Sequence, residues 1–522
     1  MIGLPLYLTV PLFILVLIPL VLVHELGHFV TAKIFGISAP EFGIGFPPRA
    51  FRFWKGAGWI EIQSRHIYIP RTFELPANLN IGSHVVYKTE QVEGRETLTA
   101  LELVDPAVTT STLASPVQNF DRGTEYTFNW LPLGGFVRLS GEEDPTAPNA
   151  FAAKPAWHRL IVLSAGVVMN FILAFAIFVL MGVFLPQAVP SSRTQISTVA
   201  LYSPAEQAGL RVNDVIVSIN GVDVTNNFEE LRKQARANGD REIEMVVQRG
   251  AAAGWETVRV KITPRSNPPP QQGALGIGLG NSGLRITKVA PGSLASQIGL
   301  RADDALVSIG NNLVLVSDDP GVVSTGAQKE AKVASYIRSL SGAAYVLPVT
   351  YIRDGIIQPP VNLKIPANLP ADQAGLGLGF RLDAGQATSS SLSQMYGAVT
   401  AIPRTIGNAI QQGPSDSGFM GPVGIVRVTG EIAGRAGFWG IINLMGVLSL
   451  NLAVVNLFPI PGLDGGRLIF ILLEVVRGGR KIDPQKEGVV HLIGMAFLLS
   501  LMVLFTFFDV SNWLAGKSLF GP

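Results

Sequence analysis

The chain has 522 residues, of which 48% are apolar and 15% charged, well below the roughly 25% charged residues of ordinary soluble domains. Forty Lys and Arg against 38 Asp and Glu leave a formal net charge of +2, with no basic run to follow a phosphate backbone, so nucleic acid is not an expected partner. Cysteine is absent, which excludes disulfides, thiol catalysis and Cys-ligated metals; a transition metal would have to sit on His, Asp or Glu. Four uncharged runs, Leu4 to Val23, Leu160 to Leu185, Phe438 to Phe458 and Val489 to Phe508, can each cross ~30 Å of hydrocarbon as a helix. No basic residue precedes the first run and no small-residue cleavage site follows it, so it reads as a span and not as a secretion signal. Lys33, Lys154 and Arg159 flank the first loop, and Arg467, Arg477, Arg480, Lys481 and Lys486 lie between the last two spans. By the bias of basic residues these two loops are expected in the cytoplasm, with both chain ends and residues 186–437 outside.

The outer segment contains a duplication. Residues 203–221 read SPAEQAGLRVNDVIVSING and residues 291–311 read PGSLASQIGLRADDALVSIGN. Placing Gly209-Leu210-Arg211 over Gly299-Leu300-Arg301 puts Asp214 over Asp304 and Val217-Ser218-Ile219 over Val307-Ser308-Ile309. Each copy reads as a short helix ending at Gly, a turn with an Asp, an alternating strand and a Gly/Asn turn. This pattern resembles the bacterial PDZ domain. The resemblance implies α+β modules that bind a peptide by adding it to a sheet edge, or that serve only as spacers above the membrane. Between the copies, Pro264 to Gly273 is a stiff Pro-rich linker. The glycine-rich stretches 273–280 and 375–380 lack the strand–turn–helix context of a nucleotide site and read as strand or hairpin edges. Leu392, Met395, Val399, Ile402, Ile406 and Ile410 recur at helical spacing, an amphipathic helix expected on the outer leaflet or against an outer module.

The chemistry is carried by His24-Glu25-Leu26-Gly27-His28. On a helix, residues four apart face one way, so both imidazoles reach one metal ion while Glu25 stands ready to take a proton from water. Ionisable groups at the end of an apolar span mark a functional site. A catalytic zinc takes three protein ligands and leaves a place for water. Asp464 is the expected third ligand, because Pro459, Pro461 and Gly462 interrupt the helix just before it; the plainer alternative is an Asp capping a helix that begins at Gly465. His491, alone in the fourth run, is expected to be a hydrogen-bonded packing residue. Two His and a carboxylate would also suit iron or cobalt.

HELGH in the first span, NLFPIPGLDGG after the third and the duplicated modules between them together resemble the site-2 protease family of intramembrane zinc metalloproteases, of the regulator-of-sigma-E type with tandem PDZ domains. The resemblance implies Zn2+ held by His24, His28 and Asp464, Glu25 as catalytic glutamate, and Asn451 and Asn456 as substrate-binding residues. It implies a single-span transmembrane substrate such as an anti-sigma factor or a remnant signal peptide, contact with membrane lipid, and a bacterial inner-membrane location with the active site toward the cytoplasm. The fold class it implies is a multi-pass α-helical membrane protein with four transmembrane helices, a membrane-associated β-hairpin region built from PEFGIGF (40–46) and GTEYTFNWLPLGGFVRL (123–139), and two α+β PDZ domains. GPVGIV (421–426) resembles the segment that precedes the third span in this family. The chain then divides into a first span with HELGH (1–35), a cytoplasmic or membrane-associated β region (36–159) with an insertion at about 63–122, a second span (160–185), modules at 190–265 and 273–368, a linker with the amphipathic helix (369–437), a third span with LDG (438–470) and a fourth span (488–508). The insertion departs from the family's pattern and is expected to be a β-rich elaboration. The alternatives in other classes are a non-catalytic membrane scaffold that uses its PDZ pair to hold peptide ends, and a metal transporter. Glu25 beside two ligands argues against the scaffold, and the scarcity of polar residues in spans two and four argues against the transporter.

Overall fold

The computed structural model describes residues 5–514 apart from 105–113, 143, 145, 186–187, 191–193, 226, 252–253, 270–272, 280–281, 311, 314–334, 337–338, 340–342, 368–375, 381 and 413–419. Residues 369–375, 381 and 413–419 of the linker after the second module, and Lys517 in the tail, therefore lie outside the described residues. Among the described residues, four helices are long and apolar enough to cross a membrane: Leu6–Ile34, Ala156–Phe184, Gly437–Leu457 and Lys486–Leu514. The first runs unbroken through His24 and His28 in spite of Pro11 and Pro19. The third is the lower part of a longer helix, Pro422–Leu457, which bends at Gly437, where φ is +56°. Only glycine takes that conformation cheaply. The upper end of this helix is tied to the fourth span by Asp509, which accepts the Gly424 N–H at 2.7 Å.

Small residues set the helix contacts, because apolar helices in lipid associate through close packing and not through the hydrophobic effect. A Cβ on Gly27 would lie 2.7 Å from the Ala165 carbonyl carbon, and one on Gly446 would lie 2.8 Å from the Phe178 ring. The helix Ala384–Gln412 packs along the second span, with Gly182 facing Ala387 and Met395 packed against the cluster of Ala174, Phe178, Leu450 and Val454. Of the residues at helical spacing, Met395 is partly buried while Leu392 and Val399 are exposed, and the buried positions include Ala387 and Ser391; the side chains of Ile402, Ile406 and Ile410 lie outside the described residues.

On the side where the first and second spans are joined, strand Glu41–Lys55 pairs antiparallel with Glu125–Arg138. The second strand folds back on itself, so that Glu41–Ile44 is flanked by Glu125–Phe128 on one side and Gly135–Arg138 on the other. The outer edge of 135–138 lies against the first span, where Gly134 and Gly135 approach Val21 and Leu22. Phe46, Phe51, Phe53, Trp54, Phe128 and Trp130 are exposed on this ribbon. At its base Glu125 meets Arg52 and Arg49 at 2.7 and 2.8 Å; burial works against its charge, but the two guanidiniums hold its pKa below the usual range.

Residues 58–121, which take in the expected insertion at about 63–122 together with the strand before it, form a closed five-stranded barrel. Strands Gly58–Ile62, Arg65–Ile69, Arg95–Leu103, His84–Val92 and Ser115–Asp121 neighbour one another in that order, and the last pairs back to the first. Ile60, Ile62, Ile67, Ile69, Val85, Leu98 and Val117 fill it. Inward β-branched residues alternate with outward polar ones, as a small barrel requires.

The two repeats fold alike. Ser203 and Ser293 cap their short helices, and the aligned Asp214 and Asp304 are buried under Arg249 and Arg353, each at 2.7 Å. Both arginines also reach the carbonyl of the aligned glycine, Gly209 or Gly299. The expected limits need correction. Ile277–Leu279 pairs with Ile196–Val199 and so closes the first unit, as Leu378–Gly379 pairs with Lys288–Val289 to close the second. In addition, Ala188–Pro190, just past the second span, joins the sheet of the second unit beside Ser282–Leu284. The returning strands pair far from their neighbours in sequence, which a local pattern does not reveal.

Truncating one partner of a buried ion pair leaves an uncompensated charge. Arg353→Ala should therefore destabilise the second repeat by about 3 kcal/mol. Limited proteolysis of the full chain should then cut first within residues 282–380; an unchanged digestion pattern would show that Asp304 is satisfied without Arg353.

Candidate metal centre

The centre is assembled from three helices and the break between two of them. His24 and His28 lie one turn apart on the first span, their rings edge to face with centroids 4.8 Å apart. Their Nε2 atoms are 3.2 Å apart, and Asp464 Oδ2 lies 3.0 Å from one and 3.4 Å from the other. Among the described residues these form the one cluster of three or more His, Asp or Glu side chains placed to share an ion. Both imidazoles are buried, and Asp464 Oδ2 is buried with no hydrogen bond to satisfy it.

Asp464 arrives by a backbone that cannot continue as helix. The third span stops at Leu457, the chain passes Pro459 and Pro461, Gly462 turns at φ +100°, and a new helix starts at Asp464 itself. Leu463 is the residue that precedes it and no side-chain cap is made, so Asp464 is not the ordinary capping residue of the alternative reading. Gly465 and Gly466 let this helix fold against the chain just before it: a Cβ on either would strike the backbone of Leu457 or Ile460. The fourth span braces the break. His491 Nδ1 accepts the Gly462 N–H at 2.9 Å, and Gly494 packs on Pro461. Arg159 on the second span grips Glu474 on the new helix at 2.6 Å, a pair buried on both sides.

The second span supplies the cradle. His28 Nδ1 is 2.8 Å from the Val162 carbonyl, which puts the ring proton on Nδ1 and turns the Nε2 lone pair toward the centre. One turn on, a Cβ at Gly166 would sit 2.8 Å from His24 Nε2 and closer still to His28 Nε2. The missing side chain thus leaves open the space on which the three donors converge. Two imidazole nitrogens and a carboxylate oxygen are the donor set of a catalytic zinc that keeps one position for water, and the residues fit the ion. Asn170, another turn along, places its amide 3.3 Å from His24 Nδ1.

Glu25 stands beside the cluster and not in it: its Oε2 accepts the Val137 N–H of the ribbon edge at 3.0 Å. Of the two asparagines expected near substrate, Asn456 has its amide nitrogen 3.4 Å from His24 Nε2, whereas Asn451 is exposed and is not among the groups that meet the centre. Gly166, Asn170 and the Val162 carbonyl escaped the reading of the sequence. The available signal was Asn170, the one amide in an otherwise apolar run.

Because the Gly166 position has no room for a methyl group, Gly166→Ala should lose nearly all bound zinc while the chain still inserts in membranes. Metal analysis of the purified variant checks this; a full complement of zinc would mean that the ion sits elsewhere.

The profile of peptidase family M50 matches residues 12–64 and 112–501. A zinc metalloprotease RasP of Oceanobacillus iheyensis is 27% identical over 97% of this chain and 99% of its own length. The regulator of sigma-W protease RasP of Bacillus subtilis is likewise 27% identical, over 97% and 98%, and the probable protease eep of Enterococcus faecalis is 26% identical over 97% and 99%. The profile passes over residues 65–111, most of the barrel, and takes in the first span, the repeats and the break before Asp464. The chain belongs to peptidase family M50, and it is a zinc metalloprotease.

Proposed function

We propose that this metalloprotease works within the membrane, cutting single-span transmembrane substrates at the cluster of His24, His28 and Asp464. The observation that carries the reading is the convergence of three donor atoms, 3.0 to 3.4 Å apart, inside apolar helices. His24, His28 and Asp464 are the zinc ligands. Zinc, when bound, supplies the charge that polarises the scissile carbonyl and makes water acidic enough to attack. Glu25 takes the water proton and returns it to the leaving nitrogen. Asn456, whose amide N–H groups lie at the edge of the cluster, stabilises negative charge developing on the carbonyl oxygen; Asn451, farther along the same helix, contacts the substrate before it reaches the centre.

A substrate helix hides its carbonyls in its own hydrogen bonds, so it must unwind to be cut. The ribbon edge at Gly135–Arg138 supports this step, since its Val137 N–H already points toward Glu25 and an extended substrate can pair along such an edge. The exposed aromatic residues of the ribbon suit contact with membrane lipid at the interface. We assign the outer repeats as PDZ domains that control access, by excluding bulky ectodomains or holding a trimmed peptide end. The bias of basic residues supports a centre toward the cytoplasm and repeats outside, in a bacterial inner membrane. The name of one relative, regulator of sigma-W protease, supports anti-sigma factors as substrates, with remnant signal peptides as a second group.

In reconstituted membranes the wild type should cleave a single-span reporter and Glu25→Gln should be slower by about 10²- to 10⁴-fold, with about one zinc in each. A variant that holds zinc and cuts at the wild-type rate would remove Glu25 from the chemistry. The lack of cysteine makes topology equally accessible: Tyr202→Cys should react with a membrane-impermeant maleimide applied from outside, and Arg480→Cys only after permeabilisation. The reverse labelling pattern would invert the proposed orientation.

A further inference from the structure

We infer that Asn170 is the positioning residue of His24, its Oδ1 accepting the Nδ1–H of the imidazole and so fixing the tautomer that offers Nε2 to the metal. The inference deepens the proposed function and rests on the reading of His24 as a zinc ligand. A zinc-bound imidazole must present a bare Nε2, so its proton lies on Nδ1, and whatever faces Nδ1 has to be an acceptor. The group facing Nδ1 is the Asn170 amide, drawn with Nδ2 at 3.3 Å. Two donors cannot face each other there. Amide oxygen and nitrogen have the same shape, and their assignment follows the hydrogen bonds they make. Asn170 is wholly buried, and its Oδ1, in the present orientation, has no partner. Turning the amide by 180° gives that oxygen the His24 proton.

Two further features support the assignment. The second span treats both ligands alike: Val162, Gly166 and Asn170 are spaced four apart, so one helical face offers an acceptor for His28, an open place for the ion and an acceptor for His24. The Asn170 backbone is itself held, since buried Ser449 on the third span donates to the Asn170 carbonyl at 2.9 Å. The amide is therefore carried on a helix locked to its neighbour and not on a mobile loop.

The test measures zinc affinity of the full chain in detergent by chelator competition, with the visible spectrum of the cobalt-loaded protein as a second readout of ligand geometry. Asn170→Leu keeps the size and loses the acceptor, and should weaken zinc binding by about 10- to 100-fold with an altered cobalt spectrum. Asn170→Asp keeps an acceptor and loses the amide donor, and should bind zinc within about threefold of the wild type, as carboxylate–histidine–zinc arrangements do. Wild-type affinity in Asn170→Leu overturns the inference. So does an Asn170→Asp variant weakened tenfold or more, a result that can be read even if the Leu variant does not fold. His24→Ala separates the two levels of the argument: if it keeps zinc at wild-type affinity the ligand reading itself fails, whereas loss in His24→Ala with no loss in Asn170→Leu overturns only the role of Asn170.

Discussion

Two imidazoles and a carboxylate packed against one another among apolar helices are unfavourable on their own. Each polar atom has left water, and a lone buried charge costs several kcal/mol even after the protein relaxes. A cation among them reverses the balance, and much of the surrounding structure can be understood as the means of keeping the three donors pointed at one place. The glycines at 27 and 166 bring the first two spans close enough for the second to cover the rings. The Val162 carbonyl turns one ring. The proline-rich break, braced by His491 and Gly494 from the fourth span, delivers the carboxylate from a direction that no continuous helix permits.

That break also leaves backbone groups free of helix between two apolar helices. Within lipid such backbone is tolerated when it is enclosed by protein or lines a wet cavity; here the fourth span meets it through His491 and Gly494, while Leu457, Pro459 and Gly462 stay exposed. The ribbon approaches from the other side. Its edge reaches the centre through one N–H on Glu25, so the strand and the carboxylate proposed to handle the proton share a hydrogen bond. Glu25, the ribbon edge and the two imidazoles are thus tied through the first span, which carries His24, Glu25 and His28 within little more than one turn.

Much of this was legible in the chain because it is written locally. The spans follow from uncharged length, the two histidines from helical spacing, Asp464 from helix breakers placed just before a carboxylate, and the repeats from a constant offset between Asp214 and Asp304. What was not legible depends on partners distant in sequence. The barrel shows its alternation in Gly58–Ile62 but not its closure, which needs residue 60 beside residue 120. The strands at 277–279 and 378–379 look in sequence like the start of the next element, yet each turns back to pair with a strand near the opening of its own unit. Asn170 is visible as a polar residue in an apolar run, but its meaning requires knowing that His24 faces it. On the helix Ala384–Gln412 the periodic apolar residues Leu392 and Val399 are exposed, and the contact with the second span includes both Met395 and small Ala387, a pairing that spacing alone does not reveal.

The closure of the barrel bears on how such a chain can grow. Its first and last strands are hydrogen-bonded neighbours, with Trp59 opposite Asp121, and they leave the ribbon a few residues from its own pair, Lys55 and Glu125. Chain that departs and returns at one point adds little to the entropy of closing a loop, and each doubling of its length adds only about 0.6 kcal/mol. An ancestor with a plain turn at this position could have gained a self-contained module without disturbing the register of the ribbon or the edge it turns toward Glu25. The barrel is therefore a self-contained module whose size can change without moving the ribbon edge that meets Glu25.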